Sequence, residues 1–385
     1  MLRRIIKNII DTAIALECFF VQSESHFKKR VLILRKDTLG DYIIFYPTLK
    51  CYRKAYEDAE ITLVVSKLFQ SLSPLLKDFE NIIWYDAKKF SDNVFYRRRF
   101  LIDLKKRGYD IAVQPTFSRE TMGDFMMKLT KALVIIGVNG DCTASLESEK
   151  LKNNSIYTKL ITVPEEIVTE IDKNVYIAEK IIGQKADVCF PTIDINLFSD
   201  NEAKKIMEKY KIIPKSYVVI VPGSGTTFKI WPIEKFAKIA DYFVEKEITP
   251  VFCGSKGEKK LIRDVLGKMD FKNKAIDISG ETDLPTIIHL LKQSIFYFGS
   301  DTGITHLAAA IEVPTICVIG GGHFGRFFPY GNLEKNRIVF DKNMKCKNDN
   351  WACSKNLKLG ESAPCVKNIR VEDVEKEIDT FLKTL

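Results

Sequence analysis

The sequence lacks any apolar run of about 18 residues, and we therefore expect no segment of it to span a bilayer. It also has no low-complexity tract and no repeat of solenoid period, which argues against a repeat architecture. Hydrophobic residues make up 46% and charged residues 28% of its 385 residues, as in ordinary globular proteins. A chain of this length is expected to form roughly two or three domains.

Two nucleotide-binding signatures are absent as well. The Gly-x4-Gly-Lys-Ser/Thr spacing of a Walker A motif does not occur, and no Gly-x-Gly-x-x-Gly follows the first predicted strand, which weighs against a dehydrogenase. Most of the nine cysteines are scattered, as is typical of reduced thiols in the cytosol. Cys346, Cys353 and Cys365 lie closer together, but their spacing matches no common zinc site and favours a structural loop over a metal site.

The net charge of +9 is modest, but the basic residues are clustered. The clusters are Arg3, Arg4 and Lys7; Lys28, Lys29 and Arg30; Arg97, Arg98 and Arg99; and Lys105, Lys106 and Arg107. Together they suggest an anionic partner such as a membrane surface or a phosphorylated lipid, whereas any one of them is more simply a solvated face. Nucleic acid is disfavoured as a partner, because no helix-turn-helix, zinc-finger spacing or aromatic RNA-binding motif accompanies the charge.

Residues 1–30 predict an amphipathic helix. A signal peptide is disfavoured, because Asp11 and Glu17 interrupt the apolar run and no small-residue cleavage site follows. The apolar stripe of the helix consists of Leu2, Ile5, Ile6, Ile9, Ala13, Leu16 and Phe20. A basic helix of this kind can rest on an anionic membrane face. It can equally pack on the domain that follows, and the sequence leaves both alternatives open.

The first half of the remaining chain alternates strands with helices. The predicted strands are Arg30–Leu34, Ile61–Val65, Asn81–Tyr85, Tyr109–Gln114 and Ala132–Gly137. The residues from Asn139 to Thr158 are polar, and a helix is predicted from about Asp41 to Tyr56 with a kink at Pro47. Unbroken apolar strands separated by helices predict an α/β domain with a parallel sheet covered on both faces.

The second half repeats this plan after a boundary that we place at about residues 190–215. Its predicted strands are Ser216–Val221, Thr249–Cys253, Ala275–Ile278, Ser294–Phe298 and Thr315–Ile319, and its last predicted helix is Val371–Leu382. Two such domains are expected to bind ligands at the carboxyl ends of their strands, in a cleft between them.

Two strand-end loops of the second domain have the composition of an anion site. Pro222–Lys229 combines glycines, hydroxyl side chains and a lysine, and Ser300–Gly303 leads directly into a helix that begins near Ile304. Such loops can aim backbone N–H groups at a phosphate. The alternative for the second loop is that Asp301 or Thr302 only caps the helix.

Four sequence segments in this order and separation resemble the heptosyltransferase family of lipopolysaccharide biosynthesis, glycosyltransferase family 9. They are Val31–Arg35 with Leu39-Gly40-Asp41; Pro222-Gly223-Ser224 with Lys229-Ile230-Trp231-Pro232; Gly299–His306 with Ala308–Ala310; and Val313-Pro314-Thr315. The resemblance covers about residues 30–330. The first helix and the cysteine-bearing tail after residue 340 lie outside it.

This resemblance implies a GT-B fold, in which two Rossmann-like domains face each other across a cleft. It implies an inverting transfer of heptose from ADP-heptose to a lipid-linked saccharide, with no essential metal and no cofactor. We accordingly predict an N-terminal helix at 1–30, an acceptor-binding domain at 31–200, a nucleotide-sugar-binding domain at 201–370 and a C-terminal helix at 371–385. No Asp-x-Asp pair is placed to hold a metal-bound diphosphate.

Asp41 is the candidate general base, because displacement at a sugar carbon needs a group that takes the proton of the acceptor hydroxyl. Its alternative role is to cap the helix that begins there. The predicted donor-binding residues are Gly223, Ser224, Thr226, Thr227, Lys229, Glu258, Asp301, Thr302, Gly303 and His306. Glu258 either binds the ribose hydroxyls or is simply exposed to solvent. His306 either supports the phosphates or packs in the core.

The predicted acceptor-binding residues are Arg35 and Arg119, with the Arg97–Arg99 cluster as a further candidate, since guanidinium groups suit carboxylates and phosphates. The loop around His323 is expected near the sugar or the diphosphate. The expected location is cytoplasmic, with peripheral contact to the inner membrane surface. Two alternatives to a transferase are a nucleotide-binding scaffold without activity and a sugar-nucleotide epimerase.

Overall fold

The computed structural model describes residues 2–187, 190–358 and 360–384, with the side chains of residues 2–8 and of residue 355 left out. Its strands are β1 (Arg30–Arg35), β2 (Glu60–Ser66), β3 (Asn81–Tyr85), β4 (Ile111–Val113), β5 (Val134–Val138), β6 (Lys159–Ile161), β7 (Tyr217–Val221), β8 (Thr249–Phe252), β9 (Ile276–Asp277), β10 (Phe296–Ser300), β11 (Thr315–Val318) and β12 (Asn336–Val339).

The α-helices surround these strands. They are α1 (Leu2–Phe20), α2 (Leu39–Phe45), α3 (Leu49–Ala55), α4 (Ala87–Asp92), α5 (Val94–Arg107), α6 (Thr121–Thr130), α7 (Glu147–Asn153), α8 (Glu170–Ile182), α9 (Asn201–Tyr210), α10 (Ile233–Glu245), α11 (Lys259–Leu266), α12 (Leu284–Gln293), α13 (Gly303–Ala310), α14 (Pro364–Lys367) and α15 (Val371–Leu382). At Pro47, where a kink in one helix was predicted, a 3-10 turn at Tyr46–Thr48 separates α2 from α3.

The chain divides into two compact units, Met1–Val188 and Cys189–Leu385. Each unit contains a six-stranded sheet, in the orders β3-β2-β1-β4-β5-β6 and β12-β11-β10-β7-β8-β9. All neighbouring strands in both sheets are parallel. The predicted α/β class with parallel sheets is confirmed.

Each sheet has its own hydrophobic core. In the first unit, the side chains of β1 pack with α5 and α6, and Leu32 and Leu101 are fully buried. In the second unit, the core includes the aromatic residues Trp231, Phe236 and Phe298 and also takes in α15 through Ile378. Two separate cores explain why the sequence repeats the same alternation of strands and helices in its two halves.

The helix α1 packs on the first unit, but not through the stripe that the sequence indicated. Ile14 and Cys18 are buried in the core of that unit, against α5 and α6. Ile9, Leu16 and Phe20 of the predicted stripe are instead 63%, 61% and 79% exposed. The side chains of Leu2, Ile5 and Ile6 lie outside the described residues. Among the helices that the structure describes, none has the length and apolarity needed to cross a membrane.

Ion pairs fix α1 to α5 and change the interpretation of the Arg97–Arg99 cluster. The buried Arg97 places its Nε 3.0 Å from the Asp11 carboxylate, and Arg98 donates to Glu17 across 2.6 Å. Arg99 is exposed and lies near Asp103 on its own helix. Because two of its three guanidinium groups hold α1 in place, we correct the prediction that this cluster serves an acceptor.

Candidate functional site

The two sheets have the same strand order when each is read along its own unit. The first strand of each unit, β1 or β7, lies beside the fourth, β4 or β10. The second and third strands extend the sheet on one side of this pair and the fifth and sixth on the other, so the order of strands reverses between the first and the fourth. In open parallel sheets, this reversal opens a crevice at the carboxyl ends of the strands, where ligands bind. The predicted site residues Asp41 and Pro222–Lys229 follow β1 and β7, and Ser300–Gly303 begins at the last residue of β10, so all of them lie at such positions.

The two predicted loops of the second unit contact each other, because β7 and β10 are hydrogen-bonded neighbours. The Ser300 hydroxyl donates to the carbonyl oxygen of Pro222 across 2.9 Å. The Ser224 hydroxyl donates to the carbonyl oxygen of Asp301 across 3.0 Å. Side chains of each loop therefore fix the backbone of the other, which gives the second unit a pre-organised pair of loops.

A charged pair joins these loops. The Lys229 ammonium donates to the Asp301 carboxylate across 2.9 Å, and both side chains remain 20% exposed. The His306 Nε2 lies 3.9 Å from the other carboxylate oxygen. Although burial opposes it, the Lys229 charge, supported by His306, holds the pKa of Asp301 below its ordinary value. The site therefore presents a cation whose charge is balanced by a neighbouring carboxylate.

The start of α13 shows which residue caps this helix. Thr302 is the capping residue, and it exchanges hydrogen bonds with Thr305 in a capping box, whereas Asp301 is directed to Lys229. The capping alternative therefore holds for Thr302 and not for Asp301. Gly303 begins the helix, so its N–H groups and the positive end of the helix dipole lie beside the Lys229–Asp301 pair.

Glu258 lies against the glycine-containing loop. Its Oε2 accepts from the backbone N–H of Ser255 across 2.7 Å, and a Cβ placed on Gly223 would overlap Oε1. Position 223 must therefore be glycine for this carboxylate to approach the loop. The side chain is half-buried, which disfavours the alternative of simple solvent exposure.

The remaining donor candidates differ in their surroundings. Thr226 and Thr227 are exposed, and Thr227–Lys229 forms a 3-10 turn that carries the lysine toward Asp301. His306 is buried, and its ring stacks on Tyr330 with centroids 5.7 Å apart. His306 therefore packs in the core, as one of its two alternatives had it, and its Nε2 also lies near the Asp301 carboxylate.

Beside Asp301 there is a small cavity that the sequence did not reveal in full. Its lining includes Asp301, Gly320, His323, Phe327 and Trp351. His323, in the loop after β11, thus lines the same cavity as Asp301. Trp351 belongs to the tail after residue 340, which the family resemblance did not cover, so no motif indicated it.

The tail cysteines support this loop structurally. The Cys365 thiol is buried and accepts from the backbone N–H of Gly321 across 3.2 Å, and burial raises its pKa. Within residues 2–187, 190–358 and 360–384, no group of three or more His, Cys, Asp or Glu side chains is arranged to hold a metal ion.

In the first unit, Asp41 lies in the first turn of α2, directly after the loop that follows β1. Its carboxylate accepts from the Thr38 hydroxyl across 2.5 Å. Thr38 occupies the capping position of the helix and makes no side-chain capping hydrogen bond. Asp41 therefore does not cap α2, and its side chain is only half-buried, which leaves it accessible for chemistry.

Arg35 lies beneath this loop and is only 2% exposed. Its guanidinium donates to the carbonyl oxygen of Pro115 across 2.6 Å, pairs with Asp37 across 2.5 Å, and lies 4.6 Å from the ring centre of Phe45. Burial raises the pKa of Asp37, Arg35 opposes this rise, and the nearby Asp41 adds to it. We therefore correct the prediction for Arg35, which supports the Asp41 loop from below and does not present its charge to an acceptor.

Arg119 is also internal and is 1% exposed. It donates to the carbonyl oxygen of Val138 across 2.7 Å and to the carboxylate of Asp124 across 2.8 Å, and it contacts the Asn154 side chain. Each guanidinium nitrogen thus has a partner, and the Tyr157 ring lies 4.4 Å from the guanidinium carbon. The predicted acceptor role of Arg119 is corrected to a structural one.

Known structures identify the class of this fold. Heptosyltransferase II of Escherichia coli superposes with a TM-score of 0.67 at 14% identity, over 92% of this chain and 99% of that chain. A family 9 glycosyltransferase from Veillonella parvula superposes with a TM-score of 0.72 at 17% identity, over 94% of this chain and all of that chain. With paired α/β units and loops at the strand reversals, the fold is that of a GT-B glycosyltransferase.

The sequence identifies the family within that class. Residues 97–356 match the model of glycosyltransferase family 9 (heptosyltransferase), and the chain therefore belongs to this family of lipopolysaccharide biosynthesis. Lipopolysaccharide heptosyltransferase 1 of Campylobacter coli is 24% identical over 90% of this chain and 97% of its own length. Lipopolysaccharide heptosyltransferase 3 of E. coli is 21% identical over 80% of this chain and 90% of its own length. The protein is a glycosyltransferase, and the predicted family is confirmed.

Proposed function

We propose that the protein transfers a heptose from ADP-heptose to a saccharide of the lipopolysaccharide core or a related acceptor, with inversion at the anomeric carbon. The observation that carries this proposal is the junction of Lys229, Asp301 and Ser224 at the strand reversal of the second unit. Solved relatives support the donor, since one E. coli heptosyltransferase structure contains ADP-2-deoxy-2-fluoro heptose.

In the proposed reaction, the second unit holds the donor. The diphosphate lies at Lys229 and the start of α13, where a full charge and the helix dipole stabilise the negative charge that develops on the leaving ADP. The Glu258 carboxylate accepts hydrogen bonds from the ribose hydroxyls. Because Asp301 shares the Lys229 ammonium, it orients this cation before the donor arrives and takes no proton itself.

The first unit supplies the base. Asp41 takes the proton of the acceptor hydroxyl while the acceptor oxygen forms a bond to the anomeric carbon and the bond from that carbon to the diphosphate breaks. Attack from the face opposite the leaving group inverts the configuration. The Thr38 hydroxyl, which donates to one Asp41 oxygen, keeps the carboxylate in one orientation and leaves the other oxygen for the acceptor.

The donor assignment is tested with the purified protein and a panel of ADP-heptose, ADP-glucose, UDP-glucose and GDP-mannose, offered with and without a heptose-deficient lipopolysaccharide core. We expect ADP release from ADP-heptose that depends on the acceptor, and a product of inverted anomeric configuration by NMR. Release of UDP or GDP would exclude the donor, and a retained configuration would exclude the mechanism. Conversion of the sugar nucleotide without acceptor would favour the epimerase. Absence of any turnover would favour the inactive scaffold.

We further propose that the enzyme works at the cytoplasmic face of the inner membrane and touches it through α1. The support is the exposed apolar stripe of Ile9, Leu16 and Phe20, on the side of α1 opposite the buried Ile14 and Cys18. An exposed cation lies beside the same helix, since the Lys131 ammonium is 3.9 Å from the Phe19 ring centre. Apolar residues flanked by cations suit an anionic bilayer surface.

Vesicle co-sedimentation tests this contact. Replacing Ile9, Leu16 and Phe20 together by Glu is expected to reduce binding to phosphatidylglycerol vesicles at least tenfold, because each charge removes apolar burial and repels the surface. Leu333→Glu, at a residue of the second unit that is 63% exposed, is the matched control. Equal binding of the triple variant and the wild type, or equal binding to phosphatidylcholine vesicles, would contradict the proposal. An unchanged melting temperature shows that α1 remains packed through Ile14.

A further inference from the structure

Trp351 in the tail occupies a position that neither the fold nor the family motifs account for. It is 6% exposed, and its indole ring lies over the glycine-rich loop that follows β11. A Cβ placed on Gly320 or Gly322 would overlap the ring, with the closest atom of Trp351 at 2.6 Å from the former. The two glycines are therefore required to admit the ring at this place.

The same ring contacts the donor loop after β7. The Phe228 ring lies 5.1 Å from it between centroids, and the Lys229 ammonium lies 5.5 Å from its centre. The His323 ring of the glycine-rich loop stands nearly perpendicular to it at 6.3 Å. Trp351 thus bridges the loops that follow β7 and β11, on either side of the Asp301 turn that follows β10.

Two observations separate Trp351 from an ordinary core residue. It lines the cavity beside Asp301, together with His323 and Phe327. Its Nε1 is buried and has no hydrogen-bond partner among the residues that the structure describes. A buried N–H group without a partner destabilises a fold, so it calls for an explanation, and a ligand that supplies the missing acceptor is one.

We propose that Trp351 recognises the sugar of the nucleotide-sugar donor, with its indole N–H donating to a sugar oxygen. This inference rests on the proposed donor site, because Lys229 and the start of α13 would hold the diphosphate and the cavity lies next to them. An indole N–H without a partner beside the cavity matches a sugar, which presents hydroxyl oxygens as acceptors. The tail thereby contributes to the choice of donor.

The competing explanation is that Trp351 only fills the space above Gly320 and Gly322. The two roles predict different effects of a Trp351 substitution on the binding of the nucleotide sugar and of the nucleoside diphosphate. A recognition residue affects binding of the nucleotide sugar and leaves binding of the nucleoside diphosphate unchanged, because ADP has no sugar in the cavity. A packing residue affects both ligands together, in proportion to the loss of thermal stability.

Isothermal titration of ADP and of ADP-heptose into three variants tests the proposal. Trp351→Phe keeps a ring and removes the N–H, Trp351→Leu removes the aromatic surface, and Trp84→Phe in β3 of the first unit is the matched control. We expect Trp351→Phe to weaken ADP-heptose about fivefold and Trp351→Leu more strongly. Affinity for ADP should stay within about twofold of the wild type for all three.

The outcomes are distinguishable. Equal weakening of both ligands, or unchanged affinity for ADP-heptose in Trp351→Leu, would overturn the role of Trp351 while the donor site stands. Failure of the wild type to bind either ligand would overturn the proposed donor site itself. If Trp351→Leu lowers the melting temperature, Trp351→Phe, which retains the ring and its packing, still separates recognition from stability.

Discussion

The Lys229 ammonium and the Asp301 carboxylate lie 2.9 Å apart, although 72 residues separate them in the sequence. They come together because β7 and β10 are adjacent in the sheet and each residue lies in the loop after its strand. The pair supplies a positioned cation without leaving an uncompensated charge in the ligand-free protein. The roles of the two residues can also be tested separately from catalysis, by ADP binding for Lys229 and by the free energy of unfolding for Asp301.

Replacement of Lys229 by Ala is expected to weaken ADP binding about 10- to 100-fold, because a charge-assisted hydrogen bond to a phosphate oxygen is lost. Isothermal titration with ADP measures this effect. Lys238→Ala, at an exposed lysine on α10, should bind ADP as the wild type does. Wild-type affinity in Lys229→Ala would remove Lys229 from the diphosphate site.

Asp301→Asn is expected to lower the free energy of unfolding by about 1–2 kcal/mol at pH 7, because Lys229 loses its charged partner. The pKa of Asp301 is lowered in the folded state, so its stabilising contribution is complete above the unfolded-state pKa of about 4. It is lost as the pH falls through the folded-state pKa.

Urea unfolding between pH 3 and pH 8 measures this difference. The difference in free energy of unfolding between wild type and Asp301→Asn should be constant from about pH 6 to pH 8 and should vanish in acid. Asp264→Asn, which changes an exposed carboxylate near Lys260, should show a much smaller gap. A gap that widens in acid would contradict the assigned direction of the pKa shift.

Asp41→Asn is expected to reduce the rate of transfer about 10³-fold, because the amide cannot take the proton of the acceptor. Its affinity for ADP should not change, since Asp41 lies in the first unit and the donor residues lie in the second. ADP release in the presence of acceptor and calorimetry with ADP measure the two quantities. Asp58→Asn, at an exposed aspartate before β2, is the control, and full activity of Asp41→Asn would exclude it as the base.

Arg119→Ala is expected to destabilise the first unit by about 3–5 kcal/mol, because it leaves the buried Asp124 carboxylate without its partner. Urea unfolding measures this loss, and the exposed Arg99→Ala should change stability by less than about 0.5 kcal/mol. If Arg119→Ala were fully stable and only raised the KM for the acceptor, the original assignment to acceptor binding would be correct.

Much of the fold could be predicted because buried parallel strands are continuous apolar runs. Tyr217–Val221 and Thr315–Val318 are of this kind, and the sequence located both. The strands β6 and β12 were not predicted. Both lie at sheet edges, where one side of a strand has no neighbour, and both contain charged residues such as Lys159 and Arg337. Periodicity is weak in such short segments.

The site was predictable only where a loop composition points to one chemistry. Glycines, hydroxyls and a lysine after β7 indicated an anion site, and the structure joins that loop to Asp301. Arg119 was misassigned because a cation after a strand is the same in sequence whether it faces a ligand or, as here, the buried carboxylate of Asp124. Trp351 was missed because only the packing reveals which side chain fills the space above two glycines.

The position of α15 has a consequence for the synthesis of the protein. Val374, Ile378 and Phe381 close the core of the second unit, whereas the strands and packed helices of the first unit are complete by residue 182. Domains fold as units during translation. We therefore expect the first unit to fold on the ribosome before α15 has been synthesised, while the face of Phe296 that packs on Phe381 of α15 is still uncovered.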